Sequence, residues 1–260
     1  MQLPIFQVDA FTTKIFGGNP AAVCPLNEWL NDSTLQQIAE ENNLSETAFI
    51  VIKQNTIELR WFTPEAEVDL CGHATLAAAH VIRTQQLSDA NPLCFQTRSG
   101  ELLVHHERDH YVMDFPSTLV HKCQPPKHLL QALGEGVVGA YQGFDYLVEM
   151  DTEARITALK PDFSLLSKLD LRGVIVTARG QDVDFVSRCF FPKLRVNEDP
   201  VTGSAHCQLA PFWAERLNQQ RLQAEQKSQR GGRVMCEVQG ARVLLAGHAV
   251  SYLQGTITLP

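Results

Sequence analysis

The sequence predicts an α+β protein of two pseudo-symmetric halves, each a barrel-like, mostly antiparallel sheet around one central helix. Two observations carry this. One motif occurs twice: Arg60-Trp61-Phe62-Thr63-Pro64 followed by Gly72-His73-Ala74, and Arg188-Cys189-Phe190-Phe191-Pro192 followed by Gly203-Ser204-Ala205. The copies lie about half a chain apart, which points to two related halves and not to a solenoid of short units. Each half also offers several strand-like segments and one long helix that opens at the motif glycine.

Composition is consistent with that architecture. The chain has 260 residues, 44% of them hydrophobic and 20% charged, enough for one large or two modest cores. A net charge of −7 and the lack of any Lys/Arg run argue against a nucleic-acid surface. No stretch is long and apolar enough for a membrane helix. Met1–Phe6 lacks the basic and apolar regions of a signal peptide, so a cytoplasmic location is expected. The seven cysteines are scattered without a C-x-x-C pair, which predicts reduced thiols, no disulfide framework and no zinc spacing.

In chain order, Ile5–Phe11 alternates as a strand, Gly17-Gly18-Asn19-Pro20 reads as a turn, and Ala21–Cys24 as a buried strand. Ser33 and Gln36 match an S-x-x-Q capping box for a helix whose apolar side is Leu35, Ile38 and Ala39. Thr47–Ile52 is apolar or β-branched throughout, an interior strand with Glu46 at its mouth. Ile57–Phe62 pairs with it across a turn at Lys53–Thr56, and an alanine-rich helix starts at Gly72. Three strands follow: Leu93–Thr97, Glu101–His106 and His110–Phe115. His105, His106 and His110 resemble a metal cluster only on paper, because adjacent strand residues face opposite sides. Pro116–Pro126 is the linker candidate, placing one lobe at 1–117 plus about 247–260 and the other at 118–246.

The second half reads as a helix at Lys127–Leu133 and strands at Val137–Tyr141, Phe144–Met150 and Arg155–Leu159. A short helix after Pro161-Asp162 leads to strands at Gly173–Ala178 and Asp184–Phe191, then the helix from Gly203 and a β tail from Leu222 to Leu259. No G-x-G-x-x-G or P-loop occurs, so no nucleotide cofactor is expected, and no metal either.

The chemistry concentrates at the two helix starts. Backbone N–H groups and the helix dipole there favour an anion, most simply a carboxylate. If the halves pack face to face, Glu46, His73, Asp199 and Ser204 converge on one cleft as proton-transfer machinery. A carboxylate entering a buried strand is partly desolvated, the condition under which such a group exchanges protons near neutrality. Each residue also has a plainer reading. Glu46 fits an exposed strand end, Ser204 a helix cap, Asp199 and Asn19 loop and turn chemistry, and His73 a satisfied, partly buried histidine.

Taken together, six segments resemble the PhzF family, the phenazine-biosynthesis isomerase-like proteins of the diaminopimelate-epimerase-like superfamily. They are Asp9-Ala10-Phe11-Thr12, Gly18-Asn19-Pro20-Ala21, Ser45-Glu46-Thr47-Ala48-Phe49, Arg60–Pro64, Glu67–Thr75 and Glu198–His206. The resemblance implies two pseudo-symmetric barrel-like lobes with the site between them, a homodimer, and no cofactor. It makes Glu46 the acid/base that moves a proton within one small, carboxylate-bearing metabolite, a cyclic diene in the founding reaction. His73, Asp199 and Ser204 match the family's supporting residues. The backbone at Gly72 and Gly203 is similar to its carboxylate cradle, with Asn19 and Cys71 as further substrate-binding positions. The family's founding reaction isomerises a dihydro-hydroxyanthranilate.

Two other readings stay open. Wider-superfamily racemases, epimerases and hydroxyproline-dehydratase-like enzymes use cysteine before the helix glycine. Cys71 precedes Gly72, but Thr202 precedes Gly203, so a two-thiol racemase is incomplete while a one-cysteine dehydratase is not. A helix N-terminus lowers a thiol pKa, which would make Cys71 reactive. The remaining reading is a small-ligand binding protein without turnover.

Overall fold

The computed structural model, described over residues 1–53 and 56–259, is α+β, and the chain divides into two compact units. One comprises Met1–Asp114 with Ala246–Pro260, the other Phe115–Leu245. Among the described residues no helix is long and apolar enough to cross a membrane.

The first unit runs β1 (Gln2–Ala10), β2 (Asn19–Leu26), α1 (Asp32–Asn42), β3 (Glu46–Lys53), β4 (Thr56–Phe62), β5 (Glu67–Val68), α2 (Gly72–Thr84), β6 (Leu93–Thr97), β7 (Gly100–Glu107) and β8 (His110–Pro116). The second runs β9 (His121–Lys122), α3 (Lys127–Leu133), β10 (Val137–Gln142), β11 (Tyr146–Met150), α4 (Glu153–Ala158), α5 (Phe163–Leu166), β12 (Val174–Arg179), β13 (Phe185–Phe191), β14 (Val196–Asp199), α6 (Gly203–Leu217), β15 (Arg221–Gln226), β16 (Gly232–Gln239) and β17 (Arg242–Gly247). The last strand, β18 (Ala249–Thr258), returns to the first unit and pairs antiparallel with β1.

Strand pairing shows the internal repeat directly. In the first unit β1–β2 is antiparallel, β2–β3 parallel, β3–β4 antiparallel, β4–β5 antiparallel, β4–β6 parallel and β6–β7 antiparallel. In the second, β10–β11, β11–β12, β12–β13, β13–β14, β13–β15 and β15–β16 repeat that order of senses step for step. Each unit thus carries two parallel pairs in a mostly antiparallel sheet, each parallel pair requiring a crossover that a helix supplies. The repeated arginines explain the repeated motif. Arg60 pairs with Glu67 through Nε at 2.7 Å and Nη2 at 2.8 Å. Arg188 does the same with Glu198 at 2.7 and 2.9 Å. In both places the bidentate pair ties a short strand that leads into the motif helix to the longer strand beside it.

The two motif helices are the apolar centres of their units. α2 buries His73, Ala74, Thr75, Leu76, Ala77, Ala78, Ala79, Val81 and Ile82 and packs against β1, β2, β3 and β18. A helix apolar on all sides belongs in an interior. α6 packs on β15 and β16 and holds Pro211 in its middle. The carbonyl that proline leaves without a helical donor, that of Cys207, accepts from Thr118 N at 2.9 Å.

Three expectations need correction or restriction. Arg155–Leu159 is not a strand: Glu153–Ala158 is helix α4, capped by the Thr152 side chain accepting from Arg155 N. The alternation there reflects a helix too short to bury more than Ile156, and the cap outweighs it. The α1 cap is Asn31, accepting from Thr34 N; Ser33 donates to Asn31 Oδ1 at 2.6 Å and Gln36 to the Thr63 carbonyl at 2.9 Å, so no Ser33–Gln36 box forms. The turn expected at Lys53–Thr56 falls on residues 54 and 55, outside the described residues.

Candidate active site

In the first unit the sequence-predicted residues meet. Glu46 opens β3, whose next residues are buried, and His73 is the second residue of α2. Glu46 Oε2 lies 3.1 Å from His73 Nε2, with side chains 18% and 6% exposed. Neither atom has a hydrogen-bond partner elsewhere among the described residues. The other ring nitrogen, Nδ1, lies 3.3 Å from Asn19 Nδ2 and 3.5 Å from Cys71 Sγ. Asn19 is fully buried, and its Oδ1 accepts from Ser45 Oγ at 3.3 Å. An amide NH2 only donates, so Nδ1 accepts from Asn19 only while the ring is neutral, whereas Nε2–H faces Glu46 in either form. Asn19 therefore does more than shape a turn.

The electrostatics suit a shared proton. Burial works against a charged His73, but the Cys71 sulfur and the Glu46 carboxylate outweigh it, and the ring's pKa stands well above the ordinary 6.5. The Cys71 thiol moves up, first through burial and then through the Glu46 carboxylate. That reverses the expectation of a thiol activated by the helix N-terminus: full burial outweighs the dipole. Donor atoms of Glu46, Cys71 and His73 lie within 4.8 Å of one another, so a metal fit must be considered. The sulfur and the carboxylate address opposite nitrogens of the ring, the layout of a hydrogen-bonded relay and not of ligands converging on one ion.

Neither motif helix has a side-chain cap. Cys71 occupies the cap position of α2 and Thr202 that of α6. The Thr202 hydroxyl is turned away, donating to Asp199 Oδ2 at 2.5 Å. An uncapped helix start favours an anion, although at α2 the Ala74 N–H lies against the Cys71 sulfur. Below each start one carbonyl is satisfied in the same way. Thr75 Oγ1 donates to the Cys71 carbonyl at 2.6 Å, and His206 Nδ1 lies 2.8 Å from the Thr202 carbonyl.

In the second unit Asp199 and Ser204 are held by different partners. Asp199 ends β14, and its backbone carbonyl accepts from Gln226 Nε2 at 2.7 Å, while Gln226 Oε1 accepts from Thr202 N at 2.9 Å. Ser204 is not a cap. It sits inside the first turn of α6, its Oγ 3.1 Å from Arg172 Nη2. Sequence reasoning missed Arg172, Asp145, Gln208 and Gln226. The available signal was a charged or amide residue set between apolar ones, as in Phe144-Asp145-Tyr146 and Cys207-Gln208-Leu209.

A duplicated unit with a Glu–His pair under an uncapped helix has close relatives. A family model for phenazine biosynthesis-like proteins, PhzC-PhzF, matches residues 8–255. An uncharacterized isomerase of Pseudomonas aeruginosa is 57% identical over 260 residues, covering 100% of both chains. The crystal structure of a PhzF-family phenazine biosynthesis protein from Enterococcus faecalis superposes with a TM-score of 0.97 at 48% identity, covering 100% of both. A predicted epimerase from Pseudomonas aeruginosa, at 18% identity and a TM-score of 0.80 over 99% of this chain and 100% of its own, shares the fold alone. With near-complete coverage and about half the residues shared, the chain belongs to the phenazine biosynthesis-like PhzC-PhzF family.

Proposed function

We propose that this chain is a cofactor-independent isomerase that moves a proton within a small carboxylate-bearing metabolite, possession of a cyclic diene fitting the family's founding reaction. The class is the one carried in the names of its relatives, isomerase. Glu46 takes the proton from a substrate carbon and returns it elsewhere on the same molecule. His73 holds Glu46 in place through Nε2–H. Asp199 and Ser204 are the supporting positions, and Gly72 and Gly203 the carboxylate-binding positions, that the family resemblance implies.

One observation carries this reading: a Glu46 oxygen that meets, among the described residues, no partner but His73, 3.1 Å away, at the mouth of a buried strand. General acid/base groups contribute about 10² to 10⁴ in rate. Untargeted metabolite turnover is the test. Wild-type protein should deplete one carboxylate and accumulate its isomer of equal mass, and Glu46→Gln should lose that conversion by at least about a hundredfold.

A second reading is favoured by the Cys71 Sγ contact to His73 at 3.5 Å: an epimerase or dehydratase using the thiol. Against it stand the raised thiol pKa and threonine at the matching position of α6. Cys71→Ser decides. Retention of turnover supports Glu46 chemistry, and loss equal to that of Glu46→Gln supports the thiol. A binding protein without turnover is the outcome if neither wild type nor variant converts anything. Seven free cysteines support work in a reducing compartment, the cytoplasm. A homodimer belongs to the proposal on the resemblance alone.

A further inference from the structure

The second unit contains a charged network that the proton transfer above does not use. Asp145 is fully buried. Its carboxylate accepts from Arg172 Nε at 3.0 Å, Arg172 Nη2 at 2.7 Å and Gln208 Nε2 at 3.0 Å, while Gln208 Oε1 accepts from Asp145 N at 3.1 Å. The Arg172 guanidinium lies 4.3 Å from the Phe144 ring centroid and 4.9 Å from that of Phe191. Two glycines make the room. A Cβ on Gly173 would stand 2.1 Å from Phe191 Cδ1, and one on Gly143 would stand 2.9 Å from Gln208 Oε1. A fork fixed by a carboxylate and two rings has little freedom left. It spends its remaining reach on Ser204, with Nη2 at 3.1 Å from Oγ.

We propose that Arg172 is a positioning residue for Ser204: the guanidinium donates to Oγ and so turns the serine's own O–H outward, as a donor to a bound carboxylate. A guanidinium has only donors, so Oγ must accept from it, and the single hydroxyl hydrogen then points elsewhere. The same contact removes Ser204 from any nucleophilic role, which needs a base at that hydrogen and not a cation at the oxygen. The buried Asp145 has a reason in this arrangement: it holds the fork at one angle. The inference deepens the proposed function and rests on its reading of Ser204 as a substrate group.

The test is calorimetric or NMR titration with 2-aminobenzoate, a small cyclic carboxylate, after thermal unfolding has shown each variant folded. Ser204→Ala and the charge-neutral pair Arg172→Met with Asp145→Asn should each weaken binding about tenfold, the worth of one hydrogen bond to a charged group. Combined, they should weaken it little more than either, because both remove one and the same donor. Asp145→Asn alone, which keeps the guanidinium, should lose less than the pair. Should the pair fail to fold, Arg172→Lys keeps the charge beside Asp145 without the fork and should still weaken binding about fivefold. Losses that multiply, an Arg172 variant that binds as wild type does, or no wild-type binding at millimolar 2-aminobenzoate would overturn the proposal. Turnover of Glu46→Gln reports separately on the acid/base reading, and the binding comparison stands whichever way that falls.

Discussion

At the scale of single residues, the informative feature is a histidine whose two nitrogens have different neighbours. His73 meets Glu46 on one side and Asn19 and Cys71 on the other. A raised histidine pKa in the folded state contributes stability that is fully present below the unfolded value near 6.5 and is lost as pH rises through the folded value. Glu46→Gln removes the carboxylate and leaves only the Cys71 sulfur to work against burial, which opposes the charge. The His73 resonance in a ¹H–¹³C NMR titration should then move to lower pH than in the wild type; an unchanged midpoint would mean that Glu46 does not hold that proton. His73 and Cys71 were legible as candidates because the motif set them at a helix start, Glu46 because it stands at the mouth of an apolar strand, and Asn19 through the family resemblance of its segment. Their roles were not. The Cys71 pKa depends on how completely the fold buries the sulfur, which no local pattern states. Ser204 read as a cap for a similar reason: its partner Arg172 is far off in sequence.

At the scale of elements, the two Arg–Glu pairs look alike but are not worth the same. Arg60 also reaches Asp32, whose side chain is 78% exposed. Arg188 also donates to the carbonyls of Ile156 at 3.0 Å and Leu159 at 2.7 Å, closing the end of α4. Arg188→Met should therefore cost about 2–4 kcal/mol in urea unfolding, since it strands a half-buried carboxylate and two carbonyls. Arg60→Met should cost about half as much, and equal losses would contradict this assignment. Element type was legible wherever a long apolar period ran, as in α2 and β3. It failed at α4, where one buried residue leaves no period to read and a side-chain cap decides.

At the scale of the whole molecule, the repeat governs the fold, and acid stability reports on its buried histidines. Burial brings His206 down to about 4, and burial together with His106 does the same to His80. A depressed histidine pKa means that the unfolded chain binds more protons between the folded and unfolded values. Stability should thus rise with pH from about 4 to about 6.5, and His206 alone accounts for roughly 3 kcal/mol of that. His206→Gln should flatten the slope of unfolding free energy against pH in that window, and an unaltered slope would show that the ring is not held neutral. The duplication was legible from two short motifs. The parallel pairs inside each unit were not, because strand sense depends on crossovers and not on the strand's own residues.

The most direct test of the central claim is deuterium transfer. A panel of carboxylated cyclic dienes would be incubated in D2O with wild type, Glu46→Gln and Cys71→Ser, each confirmed folded, and the products analysed by NMR. The account predicts carbon-bound deuterium or a shifted double bond with wild type and Cys71→Ser, and none above background with Glu46→Gln. Equal labelling by wild type and Glu46→Gln, or loss with Cys71→Ser alone, would contradict it.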